Sequence, residues 1–243
     1  MIEILALAAL ILAVLAVLVV GWFIFPFALR RLAEARLAHL CKARKAIVLS
    51  YDDGPGPGLT QALLDLLEGR GVATFFVLGR SAEINGDTVA RVIGAGHEVG
   101  SHSFHHTNAW KVGPARAGRD LAAGIRVVRS FGGNGNLYRP PYGKLTLATL
   151  IDGLLRRQRF GWWTIDSKDT NDSGARRRID GILDEIALKG GGVVLMHDFD
   201  KPPGPGDSMS HADYVISLTT RIIEFAEQNG YRLMRLGDVL HKI

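Results

Sequence analysis

The sequence predicts an α/β domain, a barrel-like array of about seven parallel strands, carried behind one N-terminal transmembrane helix. Three observations predict it. Residues Ile4 to Phe25 carry no charge. From Ala46 onward, short apolar or β-branched runs alternate with amphipathic stretches, as strands do with helical crossovers. Ionisable residues recur directly after those apolar runs, where the loops of a parallel α/β domain gather on one face.

The uncharged run reads "ILALAALILAVLAVLVVGWFIF". As a helix it is about 33 Å long, enough for a hydrocarbon core of about 30 Å. Trp22, Phe23 and Phe25 stand at its C-terminal end, where an aromatic belt lies. A soluble core helix seldom runs this far without a polar face. A signal peptide would need a basic start and a shorter apolar centre, whereas only Glu3 precedes this run. An uncleaved anchor over residues 1–29 is the expectation.

Residues 30–45 hold Arg30, Arg31, Arg36, Lys42, Arg44 and Lys45, and no Lys or Arg precedes the run. The positive-inside rule therefore places the long C-terminal part in the cytoplasm. This stretch is read as a basic juxtamembrane linker, either an ordinary solvated helix or a helix on an anionic surface. It carries much of the basic character of a chain with net charge +5. Elsewhere no basic patch interleaved with aromatics points to nucleic acid. A lone cysteine, Cys41, rules out an internal disulfide framework.

The 243 residues, 47% of them hydrophobic, suffice for that anchor and one domain, placed at 46–243. "AIVLSY" reads as the first strand and "LTQALLDLLEGRG" as an amphipathic helix closed by glycine. Strand "VATFFVLG", helix "DTVARVIGAG" and strand end "HEVGSHS" follow. Next come a helix at "RDLAAGIRVVRSF", a turn "GGNGN", the segment "LYRPPYG" and a helix "LATLIDGLLRRQ". A strand "FGWWTID", a helix "RRRIDGILDEIALKG" and a strand "GGVVLMHD" continue the alternation. The loop "DKPPGPGDSMS", the helix "YVISLTTRIIEFAEQNG" and the strand "YRLMRLG" complete it.

At the strand ends stand Asp52/Asp53, His102/His106, Arg139, Asp166/Asp169 and His197/Asp198. Stability alone does not explain five such ends. His102 and His106, four apart, can face one way on a helical turn, and with a carboxylate they make a three-ligand metal site. His105 competes by spacing but points elsewhere. A cation also explains the adjacent carboxylates: if Asp53 ligates it, Asp52 is left to accept a proton. A turn-forming role for "DDG" would account for Asp-Gly but not for the first Asp after an apolar strand. Zinc fits a His/His/Asp donor set best, with Co2+, Ni2+, Mn2+ or Fe2+ as alternatives.

Taken together, "SYDDG", "HSFHH", "RPPYG" and "LMHD" make the chain from Ala46 onward resemble the NodB-homology polysaccharide deacetylases, carbohydrate esterase family 4. The framework segments "ATFFVLG" and "GHEVGSH" share the likeness. The resemblance implies a distorted (β/α) barrel and metal-dependent removal of an N-acyl group, usually acetyl, from an amino sugar. It implies Asp52 as general base, Asp53, His102 and His106 as metal ligands, and Arg139 as the holder of Asp52. It implies an oxyanion contact from the Tyr142 backbone N–H, and His197 as general acid kept protonated by Asp169. It implies Leu195 in the acyl pocket, and Pro141 and Trp163 are expected with it in the substrate pocket. "DSKDT" departs from the family's Asp-x-x-Asp-Trp in having Thr170, with Trp162 or Trp163 nearby to substitute.

The expected substrate is an N-acetylated glycan or, given the anchor, a polyprenyl-linked amino sugar. Two other readings use the same barrel: a catalytically silent glycan-binding protein, and an amidase or esterase acting on a non-sugar amide.

Overall fold

A computed structural model describes residues 1–202, 204 and 208–241. Positions 203 and 205–207 of the "DKPPGPGDSMS" loop lie outside the described residues.

Helix α1 (Ile2–Val19) buries none of its residues. It runs through a π-helical turn (Val20–Ile24) into helix α2 (Phe25–Arg44), which stops where Lys45 turns left-handed at φ 47°. Among the described residues, this continuous 43-residue helix is the one long and apolar enough to cross a membrane.

The sheet comprises β1 (Ala46–Asp52), β2 (Ala73–Val77), β3 (Glu98–Ser101), β4 (Leu137–Tyr138), β5 (Arg159–Phe160), β6 (Ile165–Asp166), β7 (Gly192–His197) and β8 (Arg232–Leu233). All pairings are parallel, in the order β5-β4-β3-β2-β1-β7-β6, with β8 beside the start of β1. The alternating strand and helix pattern is thus the expected barrel-like sheet. Two expected elements differ. "YRLMRLG" is strand only at β8, and Leu236 and Gly237 already belong to a closing helix. "FGWWTID" is not one strand but β5 and β6, which stand at opposite ends of the sheet. The break falls at Gly161, where a Cβ would lie 2.4 Å from the Phe76 ring, so the chain crosses the interior against that ring.

Strand period two sorts the side chains onto two faces. Ile47, Leu49 and Tyr51 of β1, with Val194 and Met196 of β7, pack outward against helices α3 (Leu59–Leu67), α8 (Ile179–Lys189) and α9 (His211–Asn229). Val48 and Val193 point the other way, into an inner cluster with Phe76, Leu137 and Trp162. Leu37 and Cys41 of α2 complete that cluster, with Leu236 and Val239 of α10 (Leu236–Leu240). The stretch 30–45 is therefore helical and lends two fully buried side chains to the domain core. Burial pushes the Cys41 thiol up to about 12, which makes it unreactive.

Helices α4 (Gly79–Ile84), α5 (Gly86–Gly94), α6 (Pro114–Ser130) and α7 (Leu147–Leu155) fill the remaining crossovers. Helix α7 starts with a capping box between Thr146 and Thr149.

Candidate active site

The expected site side chains hang from strand ends or the loops after them, and one rim collects all but Trp163 and Asp166. On β1, Asp52 shares the inward face of Val48 and Ser50, and it is buried to 3% exposure. Asp53 leaves the strand with φ 73°. Ser103 and His106 (φ 68° and 61°) bend the loop after β3, and Tyr142 (φ 58°) bends the loop after β4. Lys168, beside Asp169, also has positive φ, at 58°. A left-handed conformation is unfavourable for side-chain-bearing residues and persists where surrounding contacts dictate it. Here it aims side chains at a common point. The two histidines consequently do not share a helical turn, as their spacing suggested; an irregular loop turns them together.

Asp53, His102 and His106 each present a ligand atom, all within 4.8 Å of one another. Asp53 Oδ1 lies 3.2 Å from His106 Nε2 and 3.5 Å from His102 Nε2. That oxygen is buried and accepts no hydrogen bond. His102 Nδ1 meets the Arg139 carbonyl at 2.8 Å, which makes Nδ1 the protonated nitrogen and turns the Nε2 lone pair toward Asp53. Burial lowers the His102 pKa to about 3, against the pull of Asp53, so the ring is neutral. A carboxylate oxygen facing imidazole lone pairs at these distances is unfavourable unless a cation joins them. The donor set, two nitrogens and one oxygen, fits a divalent metal. His105 stands apart: its backbone N–H donates to Asp120 Oδ1 at 2.9 Å, and its ring packs edge-on to Phe104.

Beside this cluster, Asp52 Oδ1 accepts from Arg139 Nη1 at 2.7 Å. Arg139 is wholly buried. Its remaining donors reach Ser50 Oγ, the Gly161 carbonyl and the Trp162 carbonyl at 3.1, 3.1 and 3.3 Å, and its guanidinium lies 4.0 Å over the Phe76 ring. The segment linking the two sheet edges thus also fixes this guanidinium. Burial raises the Asp52 pKa, while the charges of Arg139 and His197 pull it down.

On the other side stands His197, the cross-strand register partner of Asp52. Its Nδ1 donates to Asp169 Oδ1 at 2.9 Å, and its backbone N–H donates to Oδ2 at 2.8 Å. Burial works against protonating His197, but Asp169, aided by Asp52 and Asp53, overcomes it and lifts the pKa to about 9. Asp169 itself is held well below the usual carboxylate range despite its burial, by His197 and His211. His211 Nε2 contacts Asp169 Oδ2 at 3.1 Å, and Ser167 Oγ donates to Oδ1 at 3.0 Å.

Leu195, on the inward face of β7, and Pro141 are buried on this rim. Trp163 lies farther toward α2: Arg30 stacks on it at 4.6 Å, and both line a cavity of about 460 Å³ with Glu34, Asp166 and Lys168. Tyr142 packs its ring 4.5 Å from that of His106. Asp166 pairs with Lys168 at 2.8 Å, away from the cluster.

The roles of three further contributors are not encoded in any local pattern. His211 opens a helix 42 positions after Asp169, and no local pattern connects them. Arg30 Nη1 donates to the Gly143 carbonyl at 2.5 Å across 113 positions, with Glu34 holding its Nε at 2.6 Å. Asp198 was visible at a strand end, but its task was not. It accepts from Gly54 N–H and Thr60 Oγ1 at 3.1 and 2.7 Å and so pins the loop that carries Asp53. A Cβ on Gly54 would fall 2.2 Å from that carboxylate.

The family model for polysaccharide deacetylases matches residues 39–153. A chitooligosaccharide deacetylase from Bradyrhizobium sp. (strain ANU 289) is 28% identical over 201 residues, 80% of this chain and 90% of the relative. One from Rhizobium leguminosarum bv. phaseoli is 31% identical over 173 residues, 70% of this chain and 75% of the relative. Among solved structures, the Bc1960 peptidoglycan N-acetylglucosamine deacetylase superposes with TM-score 0.70 at 25% identity, covering 82% of this chain and 89% of that one.

Proposed function

From the premise that the chain belongs to the polysaccharide deacetylase family, carbohydrate esterase family 4, we propose that it is a membrane-anchored, metal-dependent hydrolase. It removes an N-acetyl group from an amino sugar of a glycan or a lipid-linked saccharide. The observation that carries this reading is the flanking of one three-ligand cluster by two opposite proton-handling pairs. Asp52–Arg139 stands on one side and His197–Asp169 on the other.

An amide is a poor electrophile with a poor leaving group, so its hydrolysis needs an activated water, an oxyanion site and an acid for the nitrogen. Asp53, His102 and His106 would hold the cation, with zinc best suited to the donors. When bound, it supplies Lewis acidity and makes water at the site easier to deprotonate. Asp52 takes the proton of the attacking water; burial makes it a stronger base than an exposed carboxylate. Arg139 then shares a charge-assisted hydrogen bond with it and keeps it aimed. The Tyr142 backbone N–H faces the developing oxyanion, in a turn braced by Arg30 on the Gly143 carbonyl. His197 delivers its proton to the departing amine, Asp169 holds the imidazole in place, and His211 braces Asp169 from behind. Leu195 and Pro141 shape the acyl side of the cleft, and Trp163, in the cavity beside Arg30, would meet a more distant part of the glycan.

Residues 1–29 are the anchor, and the basic residues that follow favour a cytoplasmic catalytic domain. The names of the relatives, chitooligosaccharide and peptidoglycan deacetylases, support an N-acetylated glycan as substrate. The anchor adds the lipid-linked amino sugar as a second source of the same group. The test is purified full-length protein with N-acetylchitooligosaccharides, peptidoglycan fragments and polyprenyl-phosphate N-acetylamino sugars, followed by mass spectrometry. Loss of one acetyl group with wild type but not Asp52→Asn supports the proposal. No loss from any of the three with metal-loaded enzyme overturns it.

A further inference from the structure

Helix α7 buries Thr149, Leu150 and Gly153 against the domain. Its other face leaves Ile151, Leu154 and Leu155 exposed at 47, 57 and 78%. Arg156 and Arg157 follow at once, both exposed, with Arg156 Nε 3.0 Å from Asp152 Oδ1 and Arg157 in no ion pair among the described residues. Three large aliphatic side chains on one short helical face, ended by two cations, form an apolar patch with a polar rim.

The surroundings of this face indicate what covers it. α7 packs against the π-helical turn Val20–Ile24. Trp110 meets Phe23 edge-on at 5.5 Å, and its indole N–H donates to the Leu145 carbonyl at 2.8 Å, just before α7. Val20–Ile24 is the last part of the uncharged run. If that run spans a hydrocarbon core of about 30 Å, its last turn stands at the membrane boundary, and whatever packs on it stands at the same depth.

We propose that the exposed face of α7 is a membrane-docking surface whose partner is an anionic phospholipid bilayer. Ile151, Leu154 and Leu155 enter the acyl region beside the anchor, and Arg156 and Arg157 meet the phosphates. The inference rests on the anchor reading given under the proposed function. It also sets the position of the site. Lys144 Nζ lies 5.0 Å over the Trp110 ring, and Tyr142, two residues earlier, packs on His106. The mouth of the cleft is therefore held at headgroup level, which suits a sugar presented on a lipid.

The experiment uses the full chain in vesicles of phosphatidylcholine with phosphatidylglycerol. A fluorophore is attached in turn through Leu155→Cys, Val14→Cys and Leu188→Cys, and the vesicles contain lipids with a nitroxide high on the acyl chain. Native Cys41 is buried and stays unlabelled. Leu188, 86% exposed on α8, is the solvent reference. The expected result is severalfold stronger quenching at Leu155 and Val14 than at Leu188, unchanged as the vesicles are diluted in protein. Quenching at Val14 alone overturns the docking surface and leaves the anchor standing. Quenching at neither Val14 nor Leu155 overturns both. Shielding of Leu155 that grows with protein density in the membrane, without lipid quenching, assigns the face to a second copy and overturns the proposal. Serine at Leu154 and Leu155, both exposed, should abolish the quenching at a label on Ile151→Cys.

Discussion

Asp52 and His197 are register partners on adjacent parallel strands, β1 and β7, so the proposed base and the proposed acid stand side by side at one sheet end. Each has its own buried counter-charge, Arg139 for one and Asp169 for the other. Arg139 draws Asp52 toward its charged form against the burial that raises its pKa, while Asp169 holds His197 protonated, as base and acid roles require.

The first prediction concerns pH. The His197 pKa is lifted to about 9, so the acid form persists through neutral pH and is lost as pH rises through that value. Activity should fall on that alkaline limb. Asp169→Asn removes the carboxylate that raises the pKa, and the limb should move toward the ordinary histidine value of about 6.5. The sign for stability is the same. A group with a raised folded pKa stabilises fully below its unfolded value, and that contribution disappears as pH rises through about 9. A pH–rate profile of wild type and variant checks the limb, and thermal unfolding on both sides of that pH checks the stability.

Arg139→Met should leave Asp52 buried without its partner. Breaking a buried pair from one side costs about 3–5 kcal/mol, unless Asp52 takes up a proton. Proton uptake removes the base, and an unpaired carboxylate loses the hydrogen bond that aims it, so kcat should fall by about 10²–10⁴ either way. Asp52→Asn in the same chain should recover much of the melting temperature and none of the activity. Thermal unfolding and kcat of the single and double variants decide it.

Removing the metal should abolish turnover. Dialysis against a chelator is expected to reduce activity to background, and Zn2+ or Co2+ should restore it. His106→Ala should lower bound metal per chain, measured by elemental mass spectrometry. Glu34→Gln, outside the cluster, should leave metal content unchanged.

A chain beginning at Ala46 lacks Leu37 and Cys41, which are 2% and 0% exposed in the inner core. Burial of one leucine is worth about 1.5–3 kcal/mol, and its loss also bares the inner face around Val48 and Val193. This chain should lose its cooperative thermal transition, whereas one beginning at Phe25 should keep it. Circular dichroism melts distinguish them.

The sequence by itself determined the strand and helix alternation, because that signal is local periodicity. It also determined which residues end the strands, and those residue types already named a chemistry. Asp53, His102 and His106 are legible for that reason, although the four-residue spacing of the histidines points to a helical turn that does not form. Only the tertiary structure decided how they meet: through positive φ at Asp53, Ser103 and His106, angles that surrounding contacts impose. It alone separated Phe160 from Ile165 onto opposite sheet edges and drew Leu37 and Cys41 into the core. It alone brought His211 to Asp169 and Arg30 to Gly143. Those contacts join positions 42 and 113 apart, and no local pattern encodes a partner at such a distance.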